Sequence, residues 1–240
     1  MKFKGEKFLP EAEIKKEALG WKASVNQSES KETGYEYIHN RHRVTIDLEH
    51  NLAFITKIIP DLIAKKQNGE KVRILDVGGG LSLFAEKIRQ SFPDKVIVYS
   101  TGLSKQAVKN ERKQLRNENY HKVSEKLNPR DLKWRSIKQL SNCEEFDLII
   151  DTYGEYYYDV YEKHRNSTSQ EKAKAFENYL TIISSKLKPN GIASIKGGYH
   201  GYEEEISDDT LAELENKLSI KISIKRGLEP NIVVKKTPKI

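Results

Sequence analysis

The stretch that decides the fold is Val72-Arg-Ile-Leu-Asp-Val-Gly-Gly-Gly-Leu-Ser-Leu-Phe-Ala-Glu-Lys-Ile88. Its first six residues are an apolar run ending in an aspartate and a valine, the pattern of a strand buried on both faces. Three glycines follow, and then Leu81, Phe84, Ala85 and Ile88 fall on one side of a helix. Strand, glycine turn and helix in that order open a βαβ unit. The glycines carry no Cβ, so a ligand can approach their backbone closely.

The same alternation continues outward. Val96-Ile-Val-Tyr99 reads as a second buried strand after the turn Pro93-Asp94, and Ser104 as the N-cap of a helix, with Leu103 and Val108 as its hydrophobic staple. The region 117–141 is poorly patterned, with a short third strand expected near Leu132–Trp134. Phe146-Asp-Leu-Ile-Ile-Asp151 is a fourth strand. The helix after it presents Ala173, Phe176, Leu180, Ile183 and Leu187 on one face and stops at Pro189-Asn-Gly191. Strand Ile192–Ile195, helix Thr210–Leu218 and strands Ile220–Ile224 and Ile232–Val234 complete the chain. The connection between the last two strands is too short for a helical crossover, so they should pair antiparallel.

On the amino side of the quoted stretch, Leu48, Leu52, Ile55, Ile59 and Leu62 mark one face of a helix that Pro60 should kink or split. Residues 1–34 are polar and mixed in charge, a weak helix and a loop. The expected architecture is therefore α/β: a doubly wound, mostly parallel sheet ending in an antiparallel hairpin. Residues 1–46 form a small N-terminal cap or lid segment and residues 47–240 the sheet domain.

Ligands of such sheets sit beyond the carboxyl ends of the strands, beside the first strand. Gly78, Gly79 and Gly80 lie there, just after Asp76. A dinucleotide site would want a third glycine where Leu83 stands, and Asp76 would repel a pyrophosphate. An NTPase loop would need a Gly-Lys-Ser/Thr sequence that is missing. A ligand bearing a cation or hydroxyl groups suits the turn better than one bearing phosphates. The plain structural alternative is a glycine turn that lets helix and strand pack closely.

Ile74-Leu-Asp-Val-Gly-Gly-Gly80 resembles the first motif of the class I S-adenosylmethionine-dependent methyltransferases. Phe146–Asp151 is similar to their fourth-strand motif, and Leu187-Lys-Pro-Asn-Gly191 to their Leu-Lys-Pro-Gly-Gly turn. The resemblance spans residues 45–240 and implies a Rossmann-like methyltransferase fold. It further implies S-adenosylmethionine as cofactor, held by Asp76 and Gly78, Gly79 and Gly80. Two positions depart from that family. The acid that grips the ribose at the end of the second strand is replaced by Gly102, with Ser100 or Thr101 nearest. The acid near the adenine corresponds to Ser136 or Arg135. A hydroxyl lacks the charge of a carboxylate acceptor, which is about twice as strong.

Methyl transfer needs an aligned nucleophile and, where necessary, a base. Asp151 ends the fourth strand, where the resemblance puts the methyl group, and could orient or deprotonate an acceptor; its plain reading is a helix N-cap or loop acceptor. Tyr153, Tyr157 and Tyr161 share a helical face, fit either to stack on a base or to pack against the sheet. Asp151, Lys196 and Glu229 partly match the Lys-Asp-Lys-Glu tetrad of RNA ribose 2′-O-methyltransferases, and Lys196 could stabilise a forming alkoxide. The first lysine of that tetrad has no match, since Arg41 and Arg43 cannot deprotonate. His39, His42 and His50 lack cysteine company, and no metal site is expected.

Composition narrows the setting. With 37% hydrophobic and 32% charged residues, the chain is globular rather than disordered. No apolar run nears the roughly 20 residues of a membrane span, and the first residues lack the apolar core of a secretory signal. Cys143 is the lone cysteine, so no internal disulfide can form. A cytoplasmic protein is expected, with no membrane partner. The net charge of +7 permits an acidic partner, which makes RNA the first methyl acceptor to consider, with a small molecule or a protein side chain open. The alternative class is a non-catalytic binding module that kept the fold and lost tight cofactor binding, in line with Gly102 and Ser136.

Overall fold

The structure is a computed structural model that describes residues 54–67, 69–78, 85, 88–89, 91–101, 132–133, 137–140, 145–152, 154–164, 166–196, 206–225 and 231–238. The segment expected as a cap, residues 1–46, lies outside these residues, as do the helix expected from Ser104, His39, His42, His50, Cys143, Tyr153 and Glu229.

Among the described residues, seven strands form one sheet in the order β3-β2-β1-β4-β5-β7-β6. They are β1 (Val72–Val77), β2 (Val96–Thr101), β3 (Leu132–Lys133), β4 (Phe146–Thr152), β5 (Leu187–Lys196), β6 (Ile220–Lys225) and β7 (Asn231–Lys236). The pairs from β3 through β5 are parallel, whereas β7 runs antiparallel to both β5 and β6. The central strand β4 is buried at every position, the near-continuous apolar pattern of a strand covered on both faces. In β6, exposed Lys221, Ser223 and Lys225 alternate with more buried isoleucines, the pattern of a strand wetted on one face. The final pair is antiparallel as expected. Its second strand, however, slots inward against β5 and leaves β6 at the edge.

The described residues include the α-helices α1 (Ile59–Ala64), α2 (Ser169–Lys186) and α3 (Asp208–Leu218). Pro60 stands in the first turn of α1, directly after a π-helical turn at Phe54–Ile58; the backbone stays helical through Ile58, so the coil changes type there without a break. Proline suits that position because its missing N–H would have no partner in the first turn. Helix α2 starts on a capping box in which the Thr168 hydroxyl accepts from Glu171 N–H and the Glu171 carboxylate accepts from Thr168 N–H. Phe176, Tyr179, Leu180 and Ile183 are its buried stripe, packed in one core with Leu75, Val77, Ile149, Ala193, Ile195, Ile232 and Val234 of the sheet.

The helix stops earlier than its apolar spacing suggested. Leu187 is already extended and pairs with Phe146 as the first residue of β5. The next pair is Ile192 with Leu148, so Lys188–Gly191 bulge out of the strand. Asn190 there has φ of 64°, and a Cβ on Gly191 would stand 2.8 Å from the Lys188 carbonyl oxygen. The Pro-Asn-Gly turn thus lies inside the fifth strand rather than ahead of it. Its neighbour Asp147 binds the amino-terminal edge together, accepting from Arg73 N–H and from Lys66 Nζ at 2.7 Å each.

Candidate functional site

The register brings the carboxyl ends of four parallel strands into one row. Asp76 lies between Ser100 and Ile150, Val77 beside Asp151, Asp151 beside Ile195, and Thr152 beside Lys196. The strand connections run to opposite sides of β1, with β2 on one flank and β4 on the other, so a crevice is expected above this point.

At that edge β1 turns at Gly78, whose φ of 63° is in the left-handed region that a residue without a Cβ adopts freely. The Gly78 N–H donates to Thr101 Oγ1 at 2.8 Å, and Ser100 Oγ donates to Asp76 Oδ2 at 3.3 Å. The end of β2 therefore clasps the end of β1 through two hydroxyls. Asp76 is 1% exposed and Thr101 fully buried. Of the six residues expected around the cofactor, Asp76, Gly78 and Thr101 come together here. Gly79, Gly80 and Ser136 lie outside the described residues. Thr101 was expected as a substitute ribose acceptor; its oxygen holds the glycine turn, and its own O–H remains a donor.

The two expected catalytic residues reach the same edge on adjacent strands but not the same face. Side chains alternate along a strand, so Asp151 projects with Ile195 toward α2, while Lys196 projects with Thr152 to the other side. Asp151 is fully buried. Its Oδ1 accepts from Gly154 N–H at 2.7 Å, and its Oδ2 accepts from Tyr156 N–H at 2.9 Å and from the Tyr179 hydroxyl. This is the loop-acceptor arrangement. Lys196 is 8% exposed.

Tyr179 and Glu155 escaped the sequence reading. Burial, and then the charge of Asp151, hold the Tyr179 phenol well above its ordinary pKa range. Its ring packs edge-on against Tyr156 at 5.3 Å between centroids. In the spacing of α2, Tyr179 merely continued an apolar stripe; only tertiary contact reveals a polar partner beneath it. Glu155 is 6% exposed, and its Oε1 accepts from Ile137 N–H at 2.7 Å. The tyrosine face expected at positions 157 and 161 is half-buried, with the two rings 5.4 Å apart. The residues of that segment that join the core are Tyr156 and Val160 instead, one position ahead of the expected face at the same spacing of four. Among the described residues no three His, Cys, Asp or Glu side chains gather to hold a metal ion.

No protein-family model and no curated protein matches the sequence. Solved structures are similar at low identity. An S-adenosylmethionine-dependent methyltransferase from Clostridium acetobutylicum is similar at 12% identity and a TM-score of 0.49, over 82% of this chain and 97% of that one. An O-methyltransferase family protein from Burkholderia thailandensis is similar at 9% and 0.45, over 96% and 71%. A ribosomal protein L11 methylase from Lactobacillus delbrueckii subsp. bulgaricus gives 15% and 0.44, over 76% and 79%. The strand order, rather than these scores, is decisive: a parallel run with the last strand inserted antiparallel beside the fifth. This is the Rossmann-like methyltransferase fold. Within the methyltransferase fold, the clasped glycine turn stands at the end of the first strand, and Asp151 and Lys196 at the ends of the fourth and fifth. No helix among the described residues is long and apolar enough to cross a membrane.

Proposed function

We propose that this protein is an S-adenosylmethionine-dependent methyltransferase that holds its donor above the turn following β1. The observation that carries this reading is the Gly78 turn, left-handed and clasped by Thr101, at the switch point of a methyltransferase-type sheet. The residues fit such a group in kind: bare backbone, hydroxyl groups and a carboxylate. Asp76, Gly78, Gly79 and Gly80 would hold the methionine part, with Thr101 toward the ribose and Ser136 toward the adenine. Because Asp76 is so deeply buried, its part is to fix the turn from below and to bias the site toward a positive ligand. When bound, the donor supplies an electrophilic methyl group on a sulfonium.

The acceptor would lie over the ends of β4 and β5. Asp151 shapes this edge by holding the loop at Gly154 and Tyr156, and Lys196 at the end of β5 is the group proposed to steady an acceptor oxygen. RNA is the acceptor proposed first, on the strength of the +7 net charge. Calorimetry with S-adenosylhomocysteine tests the donor site, and labelled-methyl transfer to total RNA, protein and small-metabolite fractions tests the acceptor. Transfer to protein or metabolites alone would replace the RNA assignment.

The burial of Asp76, together with Gly102 at the ribose position, favours a second reading: a binding module that kept the fold without the cofactor. Absence of heat at high micromolar protein would select it.

A further inference from the structure

We propose that Glu155 is a positioning residue that locks the turn after β3 to the loop after β4, so that the adenine side and the acceptor side of the site move as one body. The inference rests on the methyl-donor reading and adds to it a residue with no assigned role. Glu155 reaches across 18 residues of sequence to bind the Ile137 N–H at 2.7 Å from a buried position. Ile137 begins the short 3-10 turn Ile137–Gln139 and is itself fully buried. The residue directly before it is Ser136, the one expected beside the adenine.

Glu155 is held on both sides in turn. Gly154 and Tyr156 each donate their N–H to the Asp151 carboxylate, which Tyr179 also binds. Gly154 is pressed against both Asp151 and the Val77 carbonyl oxygen, leaving no room for a side chain. The backbone of Glu155 is thus pinned to the ends of β4 and β1, and its side chain carries that fixed position to the turn after β3. A carboxylate bound to a backbone N–H is a strong, charge-assisted tie, and a buried amide that loses its acceptor is left exposed to the full loss of that bond.

The test is hydrogen exchange together with S-adenosylhomocysteine calorimetry on the full chain, for the wild type, Glu155→Ala and Glu155→Gln. Glutamine retains an oxygen able to accept from Ile137 N–H. Glu155→Ala should speed exchange at residues 137–140 and raise the dissociation constant about tenfold, with Glu155→Gln close to wild type in both. A lowered melting temperature with unchanged affinity would mean the tie is only structural and would overturn the inference. So would unchanged exchange in Glu155→Ala. Should that variant not fold, Glu155→Asp, one methylene short of the turn, takes its place with the same expected results. The two readings fail differently: no heat from the wild type refutes the donor reading, with the exchange data still deciding whether the tie exists. Wild-type heat with unchanged Glu155→Ala affinity refutes the inference alone.

Discussion

Replacing Tyr179 by Phe removes one oxygen and leaves the ring packing of α2 in place. The lost group is a buried hydroxyl that donates to Asp151, whose carboxylate also accepts from the N–H groups of Gly154 and Tyr156. A hydrogen bond to a charged group contributes about 1.5–3 kcal/mol net. For a domain of this length that corresponds to a drop in melting temperature of about 3–12 °C. The comparison also has a pH signature. Burial and the neighbouring Asp151 raise the Tyr179 pKa in the folded state. A group raised on folding contributes stability that is complete below its unfolded pKa, about 10 for a phenol, and is lost as pH climbs above it toward the folded value. The wild type should therefore lose stability above that pH faster than Tyr179→Phe, by up to about 1.4 kcal/mol per pH unit. Urea unfolding of both proteins from neutral to strongly alkaline pH measures the gap. Equal stabilities at neutral pH, or a gap that does not narrow in alkali, would refute the buried phenol–carboxylate bond.

Gly154→Ala should destabilise the fold by about 1–3 kcal/mol or more, since the new methyl meets the Val77 carbonyl oxygen and the Asp151 carboxylate, neither of which can retreat; denaturant midpoints check this. Thr168→Ala removes the hydroxyl that caps α2 and should cost about 1 kcal/mol in the same assay. Hydrogen bonds from Thr168 hold the Glu171 carboxyl below its usual range. Its share of the capping energy is present above the unfolded glutamate pKa and fades as pH falls through the lowered folded value, so the wild-type advantage should shrink in acid. Asp76→Ala should abolish S-adenosylhomocysteine binding while far-UV circular dichroism stays unchanged; unaltered affinity would dismiss Asp76 from the site.

The strands at the heart of the sheet were legible because burial on both faces leaves a mostly apolar signature, as in Phe146–Asp151 and Val72–Val77. The limits were less so. The end of α2 was misplaced because Leu187 is apolar and correctly spaced for either helix or strand, and only its pairing with Phe146 separates the two. Likewise Tyr156 rather than Tyr157 packs inward, because spacing fixes the period of a face but not which of two adjacent phases meets the core.

By itself the sequence determined the α/β class, the antiparallel ending and the position of the glycine turn, all of which follow from local apolar periodicity, from the length of the last connection and from the freedom of a residue without a Cβ. Tertiary structure alone decided the slotting of β7 between β5 and β6, the opposite faces taken by Asp151 and Lys196, and the partners of Tyr179 and Glu155. Those features depend on which distant residues share a register or a buried hydrogen bond, and a carboxylate or phenol has the same local signature whether it meets water, a ligand or another part of its own chain.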